Sequence, residues 1–248
     1  MPAHDQDSVL SRRRFLAAAA ATGAACAGAL AVPSVAGARP AAAATSYTLK
    51  VTNDSPQYQS FCLYQKPVNL GLPGAFPLAW MVAPLWPRNS TTFTWSLDYS
   101  FAWAVTGPLA PGGTFQPWQQ VAADPENESQ NRIGFDFDNG VYEFVPPASG
   151  GSPQPGSLGI EVHADVPDDT ASVGIGMASG PVFAAQAEPG ANPVFTPHPQ
   201  YWITAGTFTR GEILDIEEIT NEIEVPFVDT FSMRVVLGVS GQWSVLPG

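Results

Sequence analysis

Residues 91–105, TTFTWSLDYSFAWAV, decide the fold class because their side chains alternate without a break. Every odd position from Phe93 to Val105 is apolar, and the even positions between them are Thr, Ser, Asp or Ala. Successive side chains of a strand point to opposite faces, so this spacing predicts an aromatic-rich face on a core. The parity never reverses, which favours one long bent strand over a hairpin with a three-residue loop. At about 3.3 Å per residue the run would span roughly 50 Å, so we expect a bend or bulge near Asp98.

The rest of the chain beyond residue 44 repeats short alternating runs separated by Gly, Pro, Asn and Ser. The strongest turn signal is Asn139-Gly140, which lies between two alternating runs and suits a type I′ hairpin. About a dozen short strands and no reliable helix predict an all-β protein. We expect a single-domain, two-sheet antiparallel β-sandwich of jelly-roll or Greek-key type over residues 45–248. Residues 146–156, PPASGGSPQPG, have the composition of a Pro/Gly linker loop inside this domain.

Three segments need separate interpretation. Residues 212–224 also satisfy a helical spacing, but the flanking Gly211 and Pro226 favour two short strands joined at Thr220-Asn221. Residues 60–65 carry bulk on both faces, which predicts a central strand with Cys62 as a buried small hydrophobe. The order strand, turn and strand ending in Gln-x-Pro occurs in the first half and returns after Val173. We favour the usual succession of strands and turns in a β protein over a duplication as its cause.

The first 44 residues form a predicted export leader. Residues 11–16 match the twin-arginine pattern S-R-R-x-F-L and precede an Ala-rich stretch, and a plain secretory leader is the alternative. We expect cleavage after Ala44 and a secreted or extracytoplasmic protein. The low hydrophobicity of Ala and Gly, together with Pro33, argues against a membrane span. The residues that carry the export motif are Ser11, Arg12, Arg13, Phe15 and Leu16.

Removal of the leader makes the chain more acidic. Four of the 10 basic residues and two of the 22 acidic residues lie in it, which leaves 6 basic and 20 acidic residues and a formal charge of −14. Nucleic acid and anionic membrane surfaces need clustered Lys and Arg, so this balance argues against both as partners. Cys62 is then the only cysteine, so no intramolecular disulfide can form.

Several longer phrases resemble the RhiA family, named for a protein that soil bacteria associated with legumes make in the rhizosphere. The resemblance covers about Tyr47 to Trp243. The resemblance implies a rhizosphere environment. It implies no reaction, cofactor or catalytic residue, because none is established for the family. The phrases that carry it are TLKVTNDS, FCLYQ, PLAWMVAPLW, FTWSLDYSFAWAVTGPLAPG, ASVGIGMASGPVFAAQAEP and FTPHPQYWITAGTFTRGEILDI.

Motifs for common catalytic sites are absent from the sequence. There is no G-x-S-x-G, no G-x-x-x-x-G-K-[ST] and no H-E-x-x-H, so we assign no catalytic residue. His163 lies on the polar side of an alternating run and is interpreted as a solvated surface residue. His198, held between two prolines, is the better ligand candidate.

Acidic residues give a weaker hypothesis of metal binding. Asp136, Asp138 and Glu143 share one side of the predicted hairpin and have the oxygen ligands that Ca²⁺ prefers, but the order of a known calcium loop is missing. A solvated hairpin face is the favoured interpretation, so no cofactor is expected. The acidic run at residues 217–224 is likewise most simply a charged surface.

Tryptophans carry the leading functional hypothesis. Trp95 and Trp103 fall on the predicted core face, whereas four others lie in or beside Pro-rich loops, where rigid rings can stack on sugars. We therefore predict an exported, non-catalytic protein that binds a polysaccharide or a cell-surface component. The alternatives are a secreted hydrolase that uses an acidic cluster and a membrane-active or self-assembling β protein; the oligomeric state stays open. The loop tryptophans are Trp80, Trp86, Trp118 and Trp202.

Overall fold

A computed structural model describes residues 45–67, 72, 74–148 and 153–248. The predicted leader, with its twin-arginine motif and the cleavage site after Ala44, lies outside these residues. So does the middle of the predicted linker loop, residues 149–152.

Seventeen strands and no helix make up the regular structure of the described residues, so none of their elements is a helix that could span a bilayer. The expected all-β, sandwich-like class is confirmed. In chain order the strands are β1 Ser46–Asn53, β2 Gln59–Gln65, β3 Phe76–Pro77, β4 Met81–Leu85, β5 Ser90–Ser96, β6 Tyr99–Ala104, β7 Gln119–Ala123, β8 Arg132–Asp138, β9 Val141–Val145, β10 Leu158–Val162, β11 Ser172–Met177, β12 Gly180–Gln186, β13 Val194–Phe195, β14 Tyr201–Gly206, β15 Glu222–Val225, β16 Ser232–Leu237 and β17 Trp243–Pro247.

Four sheets, arranged as two pairs, contain these strands. Sheet 1 has the order β17-β16-β1-β5 and sheet 2 the order β15-β14-β2-β4. Sheet 3 has the order β13-β10-β8-β9 and sheet 4 the order β3-β12-β11-β6-β7. The Trp95 ring of sheet 1 lies 4.9 Å from the Tyr201 ring of sheet 2, and Trp103 of sheet 4 lies 5.6 Å from Phe135 of sheet 3. We call the first pair sandwich I and the second sandwich II; one cluster of buried side chains runs through all four sheets.

The two sandwiches repeat the same pairing pattern. In sheet 1, β1 pairs antiparallel with β5 and parallel with β16, whose hairpin partner is β17. In sheet 3, β10 pairs antiparallel with β13 and parallel with β8, whose hairpin partner is β9. Sheets 2 and 4 match in the same way, with β2, β4, β14 and β15 equivalent to β11, β12, β6 and β7. The strand topology is therefore duplicated, whereas the sequence pattern favoured a chance recurrence of strands and turns. The structural repeat is offset by one strand from the recurring strand, turn and Gln-x-Pro order in the sequence.

The stretch 91–105 is two strands, so the expectation of one long strand is wrong. β5 belongs to sheet 1 and β6 to sheet 4, and Leu97-Asp98 connects them at the expected bend. The alternation continues across this connection because the odd residues of both strands enter the shared core. An alternating sequence pattern indicates which side chains are buried, but it does not indicate that the chain leaves one sandwich and enters the other.

Two long loops cover the outer faces of sheets 2 and 4. Cys62 is fully buried on the outer face of β2, a central strand as predicted, where it packs in one cluster with Leu214. Residues 105–118 and 207–221 also bond to each other, since Gly112 N donates to Ile213 O at 2.9 Å. Of the two strands expected over residues 212–224, only β15 forms, because the backbone at Glu212 and Ile213 makes isolated bridges to Thr114 and Leu78 instead.

Candidate functional site

Trp80 is fully buried, so its assignment as a ligand-binding loop residue is wrong. Its ring packs edge-on to Trp95 at 5.5 Å and stacks on Tyr201 at 6.1 Å. The indole Nε1 donates a hydrogen bond to Met177 O at 2.9 Å and so links the segment before β4 to the end of β11. Trp80 is a core residue that connects sandwich I with sandwich II.

Trp202 is half-buried and one face of its ring is covered. The Lys66 ammonium lies 3.8 Å from the ring centroid and also forms an ion pair with Glu222, which accepts a hydrogen bond from the Tyr64 hydroxyl. Burial lowers the pKa of Lys66 and raises the pKa of Glu222. A cation already occupies the ring face, so this tryptophan does not offer that face to a ligand.

The predicted histidine and metal residues are not brought together. His198 is exposed in the loop before β14. Asp136 Oδ1 lies 3.2 Å from His163 Nδ1, so His163 is a half-buried partner of Asp136 and not the solvated surface residue expected. Asp138 accepts a bond from Asn139 Nδ2 at 2.9 Å, and Glu143 is exposed opposite Asp136. In the described part of the chain, no group of three or more His, Cys, Asp or Glu residues is placed to hold a metal ion.

Trp86 forms an exposed aromatic pair at the end of sandwich I. Its side chain is 65% exposed, and its ring lies 4.9 Å from that of Tyr58. The buried side chain of Asn53 holds both loops, because its Nδ2 donates to Leu85 O at 2.9 Å and its Oδ1 accepts from Ser55 N at 3.1 Å. A single buried amide therefore fixes the geometry of this surface.

Trp118 is the most exposed of the predicted tryptophans, at 71%. One side of its ring lies 6.0 Å from the buried Trp103 ring at an angle of 34°, and its backbone N donates to Trp103 O at 2.9 Å. Trp103 is fixed in turn, because its Nε1 donates to Gln119 Oε1 at 2.8 Å. The Trp118 ring is thus a supported platform with its other side open to solvent.

A cavity of about 410 Å³ opens beside this platform. The loop before β7 supplies the side chains of Gln116 and Trp118 to its wall, and the facing loop of residues 207–211 supplies Arg210. No sequence pattern indicated Arg210, because it is distant from Trp118 in the chain and reaches the cavity only through the pairing of the two long loops. We call this the Trp118 cavity.

A second cavity, of about 540 Å³, is acidic. Glu212, Asp215 and Glu218 line it together with apolar side chains of the loop between β14 and β15. Glu212 Oε2 accepts a bond from Thr209 N at 2.8 Å, and Asp215 Oδ1 accepts one from Glu217 N at 3.0 Å. These two carboxylates therefore stabilise the turns of their own loop.

Comparison with known proteins gives a family match over most of this chain. A model of the RhiA family matches residues 44–248, which contain both cavities. The chain belongs to the RhiA family. It is 36% identical over 207 residues to "Protein RhiA" of Rhizobium leguminosarum bv. viciae, and the match covers 82% of this chain and 87% of that protein. No solved structure gives a significant match. The resemblance found in the sequence is confirmed, and the RhiA family name assigns no reaction to the Trp118 cavity.

Proposed function

We propose that this RhiA-family protein binds carbohydrate, with the Trp118 cavity as its site. The observation that carries the proposal is the Trp118 ring, which stands exposed at a cavity that glutamine side chains also line. A sugar ring has an apolar face that stacks on an aromatic ring, and its hydroxyls exchange hydrogen bonds with amides. Gln116 and Gln120 can each both donate and accept such bonds.

The platform is also held in place before a ligand arrives. Contact with Trp103 and the backbone bond from Trp118 N limit how far the ring can move. Binding to a preformed surface avoids part of the entropy cost of ordering side chains. The Tyr58 and Trp86 pair is a second exposed aromatic surface, and it does not line this cavity.

Titration with a broad set of plant and microbial oligosaccharides, followed by tryptophan fluorescence and calorimetry, tests the site. Trp118→Ala should weaken binding by about fivefold or more, since stacking of a nucleobase on an aromatic ring contributes about 1–3 kcal/mol and a sugar face stacks in a similar way. Trp86→Ala is the matched control and should change affinity much less. Unchanged binding by Trp118→Ala, or no binding to any sugar in the set, would contradict the proposal.

We propose further that the protein is exported through the twin-arginine route. The motif at Ser11 to Leu16 supports this, and the family match begins at residue 44, where the predicted leader ends. Replacement of Arg12 and Arg13 by lysine should retain a reporter fused after residue 44 inside the cell, while Arg39→Lys should leave export unchanged. Export of the double variant at the normal rate would contradict this assignment.

A second candidate function, hydrolysis in the acidic cavity, is favoured by one observation. The larger cavity is lined by three carboxylates, and glycoside hydrolysis uses a pair of them. Release of reducing sugar that is lost in Glu218→Gln, with binding at Trp118 intact, would support catalysis. Glu217→Gln is the control, because Glu217 does not line this cavity.

A further inference from the structure

Arg210 is the only charged residue among those that line the Trp118 cavity, and no carboxylate lines it. The guanidinium is a planar group with five N–H donors. Among the described residues its one hydrogen bond is long, from Nη2 to Ser179 O at 3.5 Å. No ion pair to Arg210 is formed by the described residues, whereas Lys66 and Arg132 both have carboxylate partners. Arg210 is exposed, and most of its donors have no partner among the described residues.

The position of Arg210 depends on a buried glycine. A Cβ at Gly180 would lie 3.0 Å from Arg210 Nη2 and 2.9 Å from Trp80 Cδ1, so a side chain at this position would displace one or both groups. Gly180 begins β12 and is buried. The absence of a side chain there lets the guanidinium lie close to sheet 4, where the cavity also meets Pro181 and Ser179.

We propose that the carbohydrate bound in the Trp118 cavity is acidic, and that Arg210 binds its carboxylate. This inference rests on the proposed function and adds the class of sugar. The guanidinium fork matches a carboxylate through two parallel N–H···O bonds, so an anionic group has a specific partner beside the stacking ring. A sugar sulfate offers similar oxygens, and the experiment separates the two.

Calorimetry with matched trisaccharides tests the inference. The probes are tri-galacturonate, its fully methyl-esterified form, and a neutral galactose trisaccharide with and without a sulfate. Short sugars suit the test because the chain has a net charge of −12, which would repel a long polyanion. Wild type should bind tri-galacturonate about two to five times more tightly than the methyl ester, as expected for a partly exposed ion pair. The preference should disappear in Arg210→Gln and persist in part in Arg210→Lys.

The response to salt provides a second measurement. Raising NaCl from about 0.05 to 0.5 M screens both the repulsion between the acidic protein and tri-galacturonate, which wild type and Arg210→Gln share, and the Arg210 ion pair, which only the wild type has. The affinity of the wild type for tri-galacturonate should therefore fall relative to that of Arg210→Gln as salt rises. Equal binding of acid and ester, or an equal salt response of the two proteins, would overturn the inference while the proposed function stands. A stronger preference for the sulfated sugar would overturn the assignment to carboxylate. Absence of binding to all probes and to the wider sugar set would instead overturn the proposed function.

Discussion

Trp80 and Trp86 are six residues apart in one Pro-rich segment, yet they lie in opposite environments. Trp80 is fully buried and donates to Met177 O, whereas Trp86 is 65% exposed beside Tyr58. Local composition cannot distinguish them, because the partner of Trp80 is 97 residues away. At the scale of single residues, burial decides which tryptophans are available to a ligand.

Replacement of each tryptophan by phenylalanine should separate the two roles. Trp80→Phe should lower the free energy of unfolding by about 1–3 kcal/mol, because a buried carbonyl loses its donor and a smaller ring leaves space. Trp86→Phe is the matched control and should change it by less than about 0.5 kcal/mol. Urea unfolding measures both values. Equal effects of the two substitutions would contradict the assignment of Trp80 to the core.

Glu222 gives a prediction for pH. Contacts with Lys66 and the Tyr64 hydroxyl favour the ionised carboxylate, but burial disfavours it, and the pKa of Glu222 is raised above its ordinary value of 4.5. A raised pKa means that the folded state holds the proton more tightly than the unfolded chain does. The contribution of this group to stability is therefore full below pH 4.5 and is lost as pH rises through the folded-state pKa.

Unfolding of the wild type and of Glu222→Gln should be compared between pH 4 and 7. The difference in unfolding free energy should move in favour of Glu222→Gln as pH rises, because glutamine does not ionise. Glu217→Gln, at an exposed residue, should follow the wild type. A difference that moves the other way would mean that the ion pair prevails over burial and that the pKa is depressed.

At the scale of elements, the hairpin β8–β9 and the β5–β6 connection show what a pattern can predict. The hairpin is confirmed, with φ of 51° at Asn139 and 85° at Gly140, because both the turn residues and the alternation are local. The connection at Leu97-Asp98 keeps the alternation of one strand while the chain changes sheets. Nothing local in residues 91–105 distinguishes one continuous strand from two strands in different sheets, since both strands bury their odd-numbered residues.

Gly140→Ala should destabilise the protein by about 1 kcal/mol, because a Cβ is strained at positive φ. Asn139→Gly is the control and should change stability by less than about 0.5 kcal/mol, since glycine adopts the same backbone conformation freely. Thermal or urea unfolding detects this difference. Equal stability of Gly140→Ala and the wild type would indicate that the hairpin adopts another turn.

At the scale of the whole molecule, the duplicated topology is circularly permuted. Sandwich II is nearly contiguous, from β6 to β13, whereas sandwich I combines β1, β2, β4 and β5 with β14 to β17. The two ends of the described fold meet beside the start of β16, because Gly248 N donates to Ser232 O at 2.9 Å and Thr48 N donates to Phe231 O at 2.8 Å. Two strand spacings, roughly 10 Å, separate the first strand from the last.

A permuted chain should therefore fold. Residue 248 would be joined to residue 45 by about six Gly and Ser residues, and new termini would be opened between His198 and Pro199, in an exposed loop. Apart from the short strand β3, each sandwich is then contiguous, and circular dichroism and urea unfolding should show a native-like, cooperative protein. The control opens the central strand β11 between Gly174 and Ile175 and should not fold. Failure of the first permutant would contradict the proximity of the two ends.

The amino-acid sequence alone was enough to predict the all-β class, the Asn139-Gly140 hairpin, the buried Cys62 and membership of the RhiA family, because periodicity, turn residues and sequence similarity can be read along the chain. It did not determine which loop tryptophans are exposed. The folded chain places Trp80 in the core, Trp118 against Trp103 and Arg210 at the same cavity. These facts depend on contacts between residues distant in the chain, and the packing of the sheets together with the pairing of the two long loops creates those contacts.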